Sequence, residues 1–216
     1  AVFAKDEPTL ADKTWAGGTA GCWDDAANWS PSGVPTLESD VKVTSGTCFA
    51  PQGAVANSIT VSSGAKFALA ASGAATDPVA DTSDKTTSRF LYLADDFACA
   101  GTALFGAENA IFTNLWLEVG GDFALTATAQ AEVSPVPCVA AVITTNALYQ
   151  AATVFKIGGA LSLADTSLLY ARCDRFTGTA VRFEPATLNV AINAKISADS
   201  LGWGWRTYTD TADSRA

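Results

Sequence analysis

The segment VGGDFALTA, residues 119–127, contains a Gly-Gly pair that is followed by two apolar residues, Phe123 and Leu125, with one alanine between them. Apolar residues at every second position indicate a β-strand with one face in the core, and the glycines indicate a turn before it. The same alternation returns in four further segments, SGAKFALAA (63–71), LADDFACAG (93–101), IGGALSLAD (157–165) and PATLNVAIN (185–193). We therefore predict an all-β chain that repeats one unit of short strands and turns.

The period of the repeat favours a solenoid. Its first apolar position recurs after 30, 26, 38 and 27 residues, at Phe67, Phe97, Phe123, Leu161 and Leu188. The longest step contains an inserted loop within residues 128–150. Short strands in such a period are typical of a β-solenoid, whose stacked coils align equivalent residues in ladders. We expect the five residues to lie over one another. A β-sandwich, which also has short and evenly spaced strands, is the alternative.

Three phrases, VGGDFALTATAQ, VFKIGGALSLADTSLLYA and GTAVRFEPATLNVAINAKISADSLGWGW, resemble the rungs of bacterial secreted or surface right-handed parallel β-helix proteins. That group includes autotransporter-like passengers and the pectate-lyase-like superfamily. The opening TWAGGTAGCWDDAANWSPSGVPTLESDVKV is similar to a Trp-rich start in such surface proteins. The resemblance implies a right-handed parallel β-helix of about five or six coils with an N-terminal Trp-rich cap. It does not decide activity, because the superfamily contains lyases, hydrolases, adhesins and filament parts.

We expect one structural domain with three parts: the cap and first strands (1–50), the rungs (51–205) and a polar C-terminal tail (206–216). The ends of a β-helix expose apolar core and unpaired strand edges unless something covers them. Three tryptophans precede the first repeat, and we expect their rings to be buried over that end: Trp15, Trp23 and Trp29. The alternative is a sugar-binding platform, in which at least two of these rings would be exposed and coplanar.

Aromatic residues also lie near the other end of the sequence, at Trp203, Trp205 and Tyr208, and no amphipathic capping helix follows them. We expect this end of the β-helix to be uncovered, or covered by a neighbouring copy. An N-terminal end that is covered and a C-terminal end that is uncovered predict head-to-tail self-association of copies. Such association yields filaments when it does not close into a ring. A chain that is one piece of a longer β-helix is the alternative explanation.

The chain has five cysteines and no histidine, and the absence of a CxxC motif argues against a zinc site. Cys99 occupies the second apolar position of its repeat, so we expect it to point inward as a free thiol. Cys22 and Cys48 are predicted to form a disulfide that fixes the opening segment to the first strands. Cys138 and Cys173 are a second candidate pair, which would bridge neighbouring coils.

Charge and hydropathy restrict the partners. The formal net charge is -9 and the pI is about 4.3, so the surface repels nucleic acid phosphates and anionic lipid headgroups. No run of about 18 apolar residues is present, so no membrane span is predicted. The sequence begins without methionine, and its small opening residues suit a signal-peptidase cut. We expect a secreted or cell-surface protein.

No catalytic motif stands out in the sequence. Without histidine, Ser-His-Asp and Cys-His catalysis are excluded. The resemblance to pectate-lyase-like proteins implies a basic residue beside calcium held by carboxylates, and Arg172, Asp174 and Arg175 are the candidate cluster. Such clusters are usually surface ion pairs, and no metal ligand can be assigned from the sequence. We therefore favour a protein without enzymatic activity and without a cofactor, with calcium as the one alternative.

Two functions remain open at this stage. The one we favour is a structural subunit of an extracellular assembly, a filament or an adhesin stalk, that associates through the ends of its solenoid. The alternative is a carbohydrate-binding or polysaccharide-degrading domain, a lyase or a hydrolase, with extracellular glycans as partners. Exposed aromatic rows along one flank would favour the alternative, and apolar terminal faces would favour assembly.

Overall fold

A computed structural model describes residues 11–51, 53–69, 89–105, 115–133, 153–171 and 181–198. These residues form an all-β structure, which confirms the predicted class. Eighteen strands follow one another in them: β1 (Ala11–Trp15), β2 (Ala20–Cys22), β3 (Trp29–Ser30), β4 (Ser39–Val43), β5 (Thr47–Ala50), β6 (Ala54–Ala56), β7 (Ser58–Val61), β8 (Lys66–Leu69), β9 (Arg89–Leu93), β10 (Phe97–Cys99), β11 (Thr102–Phe105), β12 (Leu115–Val119), β13 (Phe123–Leu125), β14 (Gln130–Val133), β15 (Thr153–Leu163), β16 (Leu168–Ala171), β17 (Val181–Val190) and β18 (Lys195–Ser197). A single 3₁₀ turn, Ala26–Asn28, precedes β3 in this part of the chain.

Parallel pairing arranges the strands in three ladders. Ladder I consists of β6, β9, β12 and the first halves of the long strands β15 and β17. Ladder II consists of β1, β4, β7, β10, β13 and the second halves of β15 and β17. Ladder III consists of β2, β5, β8, β11, β14, β16 and β18. The chain visits the ladders in turn and then repeats, an arrangement compatible with a β-solenoid.

The direction of pairing decides against the β-sandwich. Immunoglobulin-like sandwiches are built from antiparallel sheets. Among the described strands the antiparallel pairing is confined to β1 with β3, at the start of ladder II. The sandwich alternative is therefore wrong for the described residues.

Four of the five predicted ladder positions are in register in successive strands of ladder II: Phe97, Phe123, Leu161 and Leu188. The prediction for Phe67 is wrong. Phe67 lies on β8 of ladder III, in register with Cys48 and Ala103, and Ile59 holds the equivalent position of ladder II. The error arises because strands of ladders II and III both alternate apolar residues, and the pattern alone does not distinguish one strand of a repeat from the next.

Cys99 has the environment predicted for it. It is in register with Val61 on one side and Leu125 on the other, on the inward face of ladder II. Its side chain is buried and its thiol is free. Burial raises the pKa of the Cys99 thiol to about 11, so the group stays protonated and packs as a small apolar side chain.

The buried side chains form one core cluster to which all three ladders contribute, and an aromatic column runs through it. Phe97 and Phe123 stack with their ring centroids 4.8 Å apart and 7° between the ring planes. Phe123 meets Phe155 of ladder I edge to face at 5.0 Å, and Phe155 lies 5.9 Å from Phe183. Since such pairs contribute roughly 0.5–1.5 kcal/mol beyond burial, the column adds to the cohesion that the backbone ladders give the repeats.

The corner between ladders I and II explains the Gly-Gly and Asp-Asp turn signals. One Asp96 carboxylate oxygen accepts the backbone N–H of Asp122 in the next repeat, at 2.7 Å. One Asp122 oxygen accepts the N–H of Ala160 in the repeat after that, also at 2.7 Å. The carboxylates thus satisfy backbone donors that the turn leaves without a strand partner. The glycines of the corner allow the repeats to approach closely.

We expect Gly158→Ala to lower the free energy of unfolding by about 1–3 kcal/mol, because a Cβ at this position would lie 2.1 Å from the carbonyl oxygen of Gly120. The backbones of two repeats must then separate. Urea unfolding measures the loss. Gly64→Ala is the comparison, since a Cβ there meets open space and only the left-handed φ of +80° is strained, at a cost of roughly 1–2 kcal/mol. A loss at Gly158 below about 0.5 kcal/mol would contradict the close packing of the corner.

Candidate functional site at the two ends of the ladders

The N-terminal end of ladder II is closed by the segment that follows β2. This segment turns back, and β3 pairs antiparallel with β1, Thr14 opposite Ser30 and Trp15 opposite Trp29. The indole Nε1 of Trp29 donates a hydrogen bond to the carbonyl oxygen of Trp23 at 2.7 Å. The side chain of Asn28 donates to the carbonyl of Cys22 at 2.9 Å. Local hydrogen bonds therefore hold the returning segment against the first strands.

Three tryptophan rings cover the beginning of the core. Trp15, Trp23 and Trp29 are 4%, 2% and 3% exposed. Trp29 lies 5.1 Å from Trp15 and 5.0 Å from Trp23, at interplanar angles of 75° and 77°, and Trp23 continues to Phe67 at 6.2 Å. A sugar platform needs exposed and coplanar faces, whereas these rings are buried and meet edge to face. Their geometry is that of packed core residues, as the cap hypothesis requires.

Glycines provide the space for these rings. A Cβ on Gly17 would lie 2.3 Å from Cζ2 of Trp15, and a Cβ on Gly21 would lie 3.3 Å from Cη2 of the same ring. The indole of Trp15 therefore lies directly against the backbone of its own turn. Its Nε1 is buried without a hydrogen-bond partner.

A lysine occupies an inward register position in the first strand of ladder II. Lys13 is in register with the buried Val41, and its ammonium group donates hydrogen bonds to the carbonyl oxygens of Pro31 and Ser32 at 3.0 and 3.1 Å. A charge on an edge strand opposes the addition of another strand. At the N-terminal edge of ladder II, Lys13 and the pairing of β3 with β1 therefore both oppose sheet extension.

Among the described residues, no segment covers the last strands of ladders II and III in this way. Leu188 and Val190 are 55% and 44% exposed, although Leu161 and Leu163, their partners on β15, are buried. Ile196 of β18 is 42% exposed, and Ile192, in the turn between β17 and β18, is 98% exposed. We call Leu188, Val190, Ile192 and Ile196 the C-terminal patch. Its members at 188, 190 and 196 continue the inward positions of their ladders.

Two exposed apolar residues lie at the opposite end, in the connection between β3 and β4. Val34 is 40% exposed and Leu37 is 47% exposed. We call them the N-terminal patch. The described residues contain no other exposed large hydrophobic side chain outside these two patches. Sequence reasoning missed Val34 and Leu37, because they belong to no alternating run. Ile192 continues the alternation of Leu188 and Val190, but it lies in the turn after β17.

The disulfide predicted between Cys22 and Cys48 is not formed in the structure, where both are free thiols. β2 and β5 are neighbours, but Cys22 is in register with Phe49 and Cys48 with Gly21. Successive residues of a strand point to opposite faces, so Cys48 points into the core and Cys22 points away from it. Burial, and to a smaller extent the nearby Cys22, raises the pKa of the Cys48 thiol.

Acidic residues line the corner between ladders I and II. Partial burial, and then the neighbouring carboxylate of Asp96, raise the pKa of Asp95, with smaller contributions from Asp40 and Asp122. Asp40 accepts hydrogen bonds from Asn57 at 2.8 Å and from Ser58 at 2.6 Å. Asp40, Asp96 and Asp122 therefore accept hydrogen bonds from backbone or side-chain donors of neighbouring strands and turns. Within the described ranges no group of three or more acidic or cysteine residues is placed to hold a metal ion.

Several predicted site residues lie outside the described residues: Trp203, Trp205, Tyr208, Cys138, Cys173, Arg172, Asp174 and Arg175. The predicted second disulfide and the lyase-type cluster therefore stay predictions.

Comparisons with models of protein families, with curated proteins and with solved structures found no match to this chain. The described part of the chain contains no helix long and apolar enough to cross a membrane. The exposed apolar residues at the two ends of the ladders make these ends the candidate site.

Proposed function

We propose that the protein is a non-enzymatic structural subunit of an extracellular assembly, a filament or an adhesin stalk. In this proposal its three ladders wind as a right-handed parallel β-helix, and its ends join one copy to the next. Crossovers between parallel strands of one sheet are almost always right-handed, which supports the handedness. Secretion or surface display follows from the resemblance of the repeat segments to bacterial surface β-helices.

One observation carries the association: all the exposed large hydrophobic residues of the described chain lie at the two ends. The strands between the ends bury their equivalent positions. Exposed apolar side chains at the end of a stacked core favour contact with a further copy, because the contact removes them from water. Because the two patches consist of different residues, the contact that we propose is heterologous, with the C-terminal patch of one copy against the N-terminal patch of the next. Such a contact continues into a filament unless it closes into a ring.

We expect the wild-type protein to form chains whose mean mass rises with concentration in analytical ultracentrifugation. Ile192→Asp and Leu37→Asp should each weaken the contact roughly 30-fold or more, because each places a charge in an apolar interface. A heterologous contact makes a further prediction. The Leu37→Asp variant keeps an intact C-terminal patch and the Ile192→Asp variant keeps an intact N-terminal patch, so their equimolar mixture should form dimers and nothing longer.

Thr60→Asp is the matched control, since Thr60 is exposed on the outward side of β7 in the middle of ladder II, and it should assemble like the wild type. Discrete monomers of the wild-type chain at every concentration would rule out the proposed association. Dimers that survive Leu37→Asp but not Ile192→Asp would show a symmetric contact between two C-terminal patches and would contradict the head-to-tail arrangement.

The carbohydrate alternative receives no support from the tryptophans of the N-terminal segment, because their rings are buried. A glycan-binding experiment with the Ile192→Asp variant tests it without interference from assembly. Dose-dependent retention on one polysaccharide would favour a carbohydrate-binding domain over a structural subunit.

A further inference from the structure

Ladder III has an open edge at each of its ends. Its sheet begins with β2 and finishes with β18, and among the described strands none pairs with the outer edge of either. Ladder II differs, because β3 pairs with the outer edge of β1. Ladder I begins only at β6, when ladders II and III already contain two strands each, so its first edge is set back by about 10 Å. Ladder III is therefore the ladder best placed to continue from one copy into another.

We propose that β18 of one copy pairs in parallel with β2 of the next copy, so that ladder III runs through the junction without a break. Both strands are three residues long, and in this register Ile196 lies opposite Gly21. Both residues hold inward positions, since Ile196 is in register with the buried Leu169 and Gly21 with the buried Cys48. The inference rests on the head-to-tail association proposed above and names the backbone contact that forms it.

A repeated backbone hydrogen bond supports this register. At every step of ladder III the first residue of a strand donates its N–H to the carbonyl oxygen just before the neighbouring strand. These donors and acceptors are Thr47 to Thr19, Lys66 to Gly46, Thr102 to Ala65, Gln130 to Gly101, Leu168 to Ala129 and Lys195 to Ser167. The next bond of the series needs the N–H of Ala20 and the carbonyl oxygen of Ala194. Because backbone groups of successive strand residues point to alternate edges, both of these groups face the open edges.

The side chains at the two edges are also complementary. Ile196 is 42% exposed, and a strand added to β18 removes it from water. Gly21 has no side chain of its own, and Cη2 of the Trp15 ring lies 3.3 Å from the place of a Cβ there. Ile196 of the other copy therefore meets a position that is free of a competing side chain and that borders an apolar ring.

Charge favours this pairing over the pairing of two identical edges. Lys195 of β18 is exposed, and the two residues that follow Trp23 after β2, Asp24 and Asp25, are exposed and acidic. Two β18 edges would bring two lysines together, and two β2 edges would bring two pairs of carboxylates together. Like charges on neighbouring strands are destabilising, whereas β18 against β2 brings opposite charges to one junction.

Cysteine cross-linking of the full chain tests the register. Ser197 lies opposite Cys22 of the next copy in the proposed pairing, and both hold outward positions. Neighbouring strands place such Cα atoms about 4.8 Å apart, within the range of a disulfide. We expect Ser197→Cys to form covalent chains of two and more copies when oxidised glutathione is added. Lys195→Cys is the matched control on the same face of β18. Its Cα lies about 8 Å from that of Cys22 in this register, so it should link roughly tenfold more slowly or less.

Cys22→Ser, combined with Ser197→Cys, should abolish the links. Links that persist in this double variant would join other thiols and would overturn the inference. Equal linking of Ser197→Cys and Lys195→Cys, in a protein whose mean mass still rises with concentration in ultracentrifugation, would overturn the pairing of β18 with β2 and leave the association standing. Discrete monomers of the wild-type chain at every concentration, with no links in Ser197→Cys, would overturn both.

Discussion

Phe123→Ala should lower the free energy of unfolding by about 3–5 kcal/mol, the range observed when a buried phenylalanine is cut back to alanine. Phe123 is fully buried on β13 and stacks on Phe97 at 4.8 Å. It also contacts Phe105 at 5.8 Å and Phe155 at 5.0 Å, so it links all three ladders. Its removal leaves a cavity in the middle of the column that strands held by hydrogen bonds on both sides cannot fill.

Urea unfolding followed by circular dichroism measures this loss. Ala124→Ser, on the next residue of the same strand, is the control, because Ala124 points to the opposite side and a small polar group there should change stability by less than about 0.5 kcal/mol. A loss below 1 kcal/mol for Phe123→Ala would mean that the aromatic column does not hold the repeats together.

Trp29→Ala should have an effect of similar size, about 3–5 kcal/mol, because it removes the ring that joins the other two tryptophans of the N-terminal segment. Trp29 lies between Trp15 and Trp23 and also donates the hydrogen bond to the Trp23 carbonyl. Without it, β3 loses its anchor on β1. Thermal unfolding of the variant should begin at a lower temperature, with early loss of the tryptophan signal in near-ultraviolet circular dichroism.

Trp29→Phe separates the two contributions of this residue. Phenylalanine keeps most of the ring packing but has no N–H donor, so we expect it to lose only about 1–2 kcal/mol. If alanine and phenylalanine were equally harmful, the hydrogen bond rather than the packing would hold the segment. If neither changed stability, the returning segment would not contribute to closing the end.

The sequence was sufficient to predict the strands that bury one face. The recurrence of the alternation at Phe97, Phe123 and Leu161 predicted that these residues stack in one ladder. It also predicted the inward position of Cys99, because a period of two leaves one choice of buried face. It failed at Phe67. The repeat there carries Ile59 and Val61 on ladder II and a phenylalanine on ladder III, and an alignment guided by ring size selects the wrong strand.

Other features depend on register between distant segments, which local patterns do not contain. Cys22 and Cys48 lie on neighbouring strands, but a register difference of one residue directs their thiols to opposite faces. The exposed positions of Val34 and Leu37 likewise follow from the path of a turn. The burial of the tryptophans of the N-terminal segment was easier to predict, since three large apolar rings before the first repeat are stabilised by packing on its core.

The stacking of ladder III determines how far the chain extends along the direction in which its strands stack. Neighbouring strands are about 4.8 Å apart, so the six steps from β2 to β18 cover only about 29 Å while the chain advances from residue 20 to residue 197. An α-helix spans that distance with about 20 residues. Such an architecture uses many residues for each ångström of length along the stack. A long projection built from it would therefore need many subunits joined end to end.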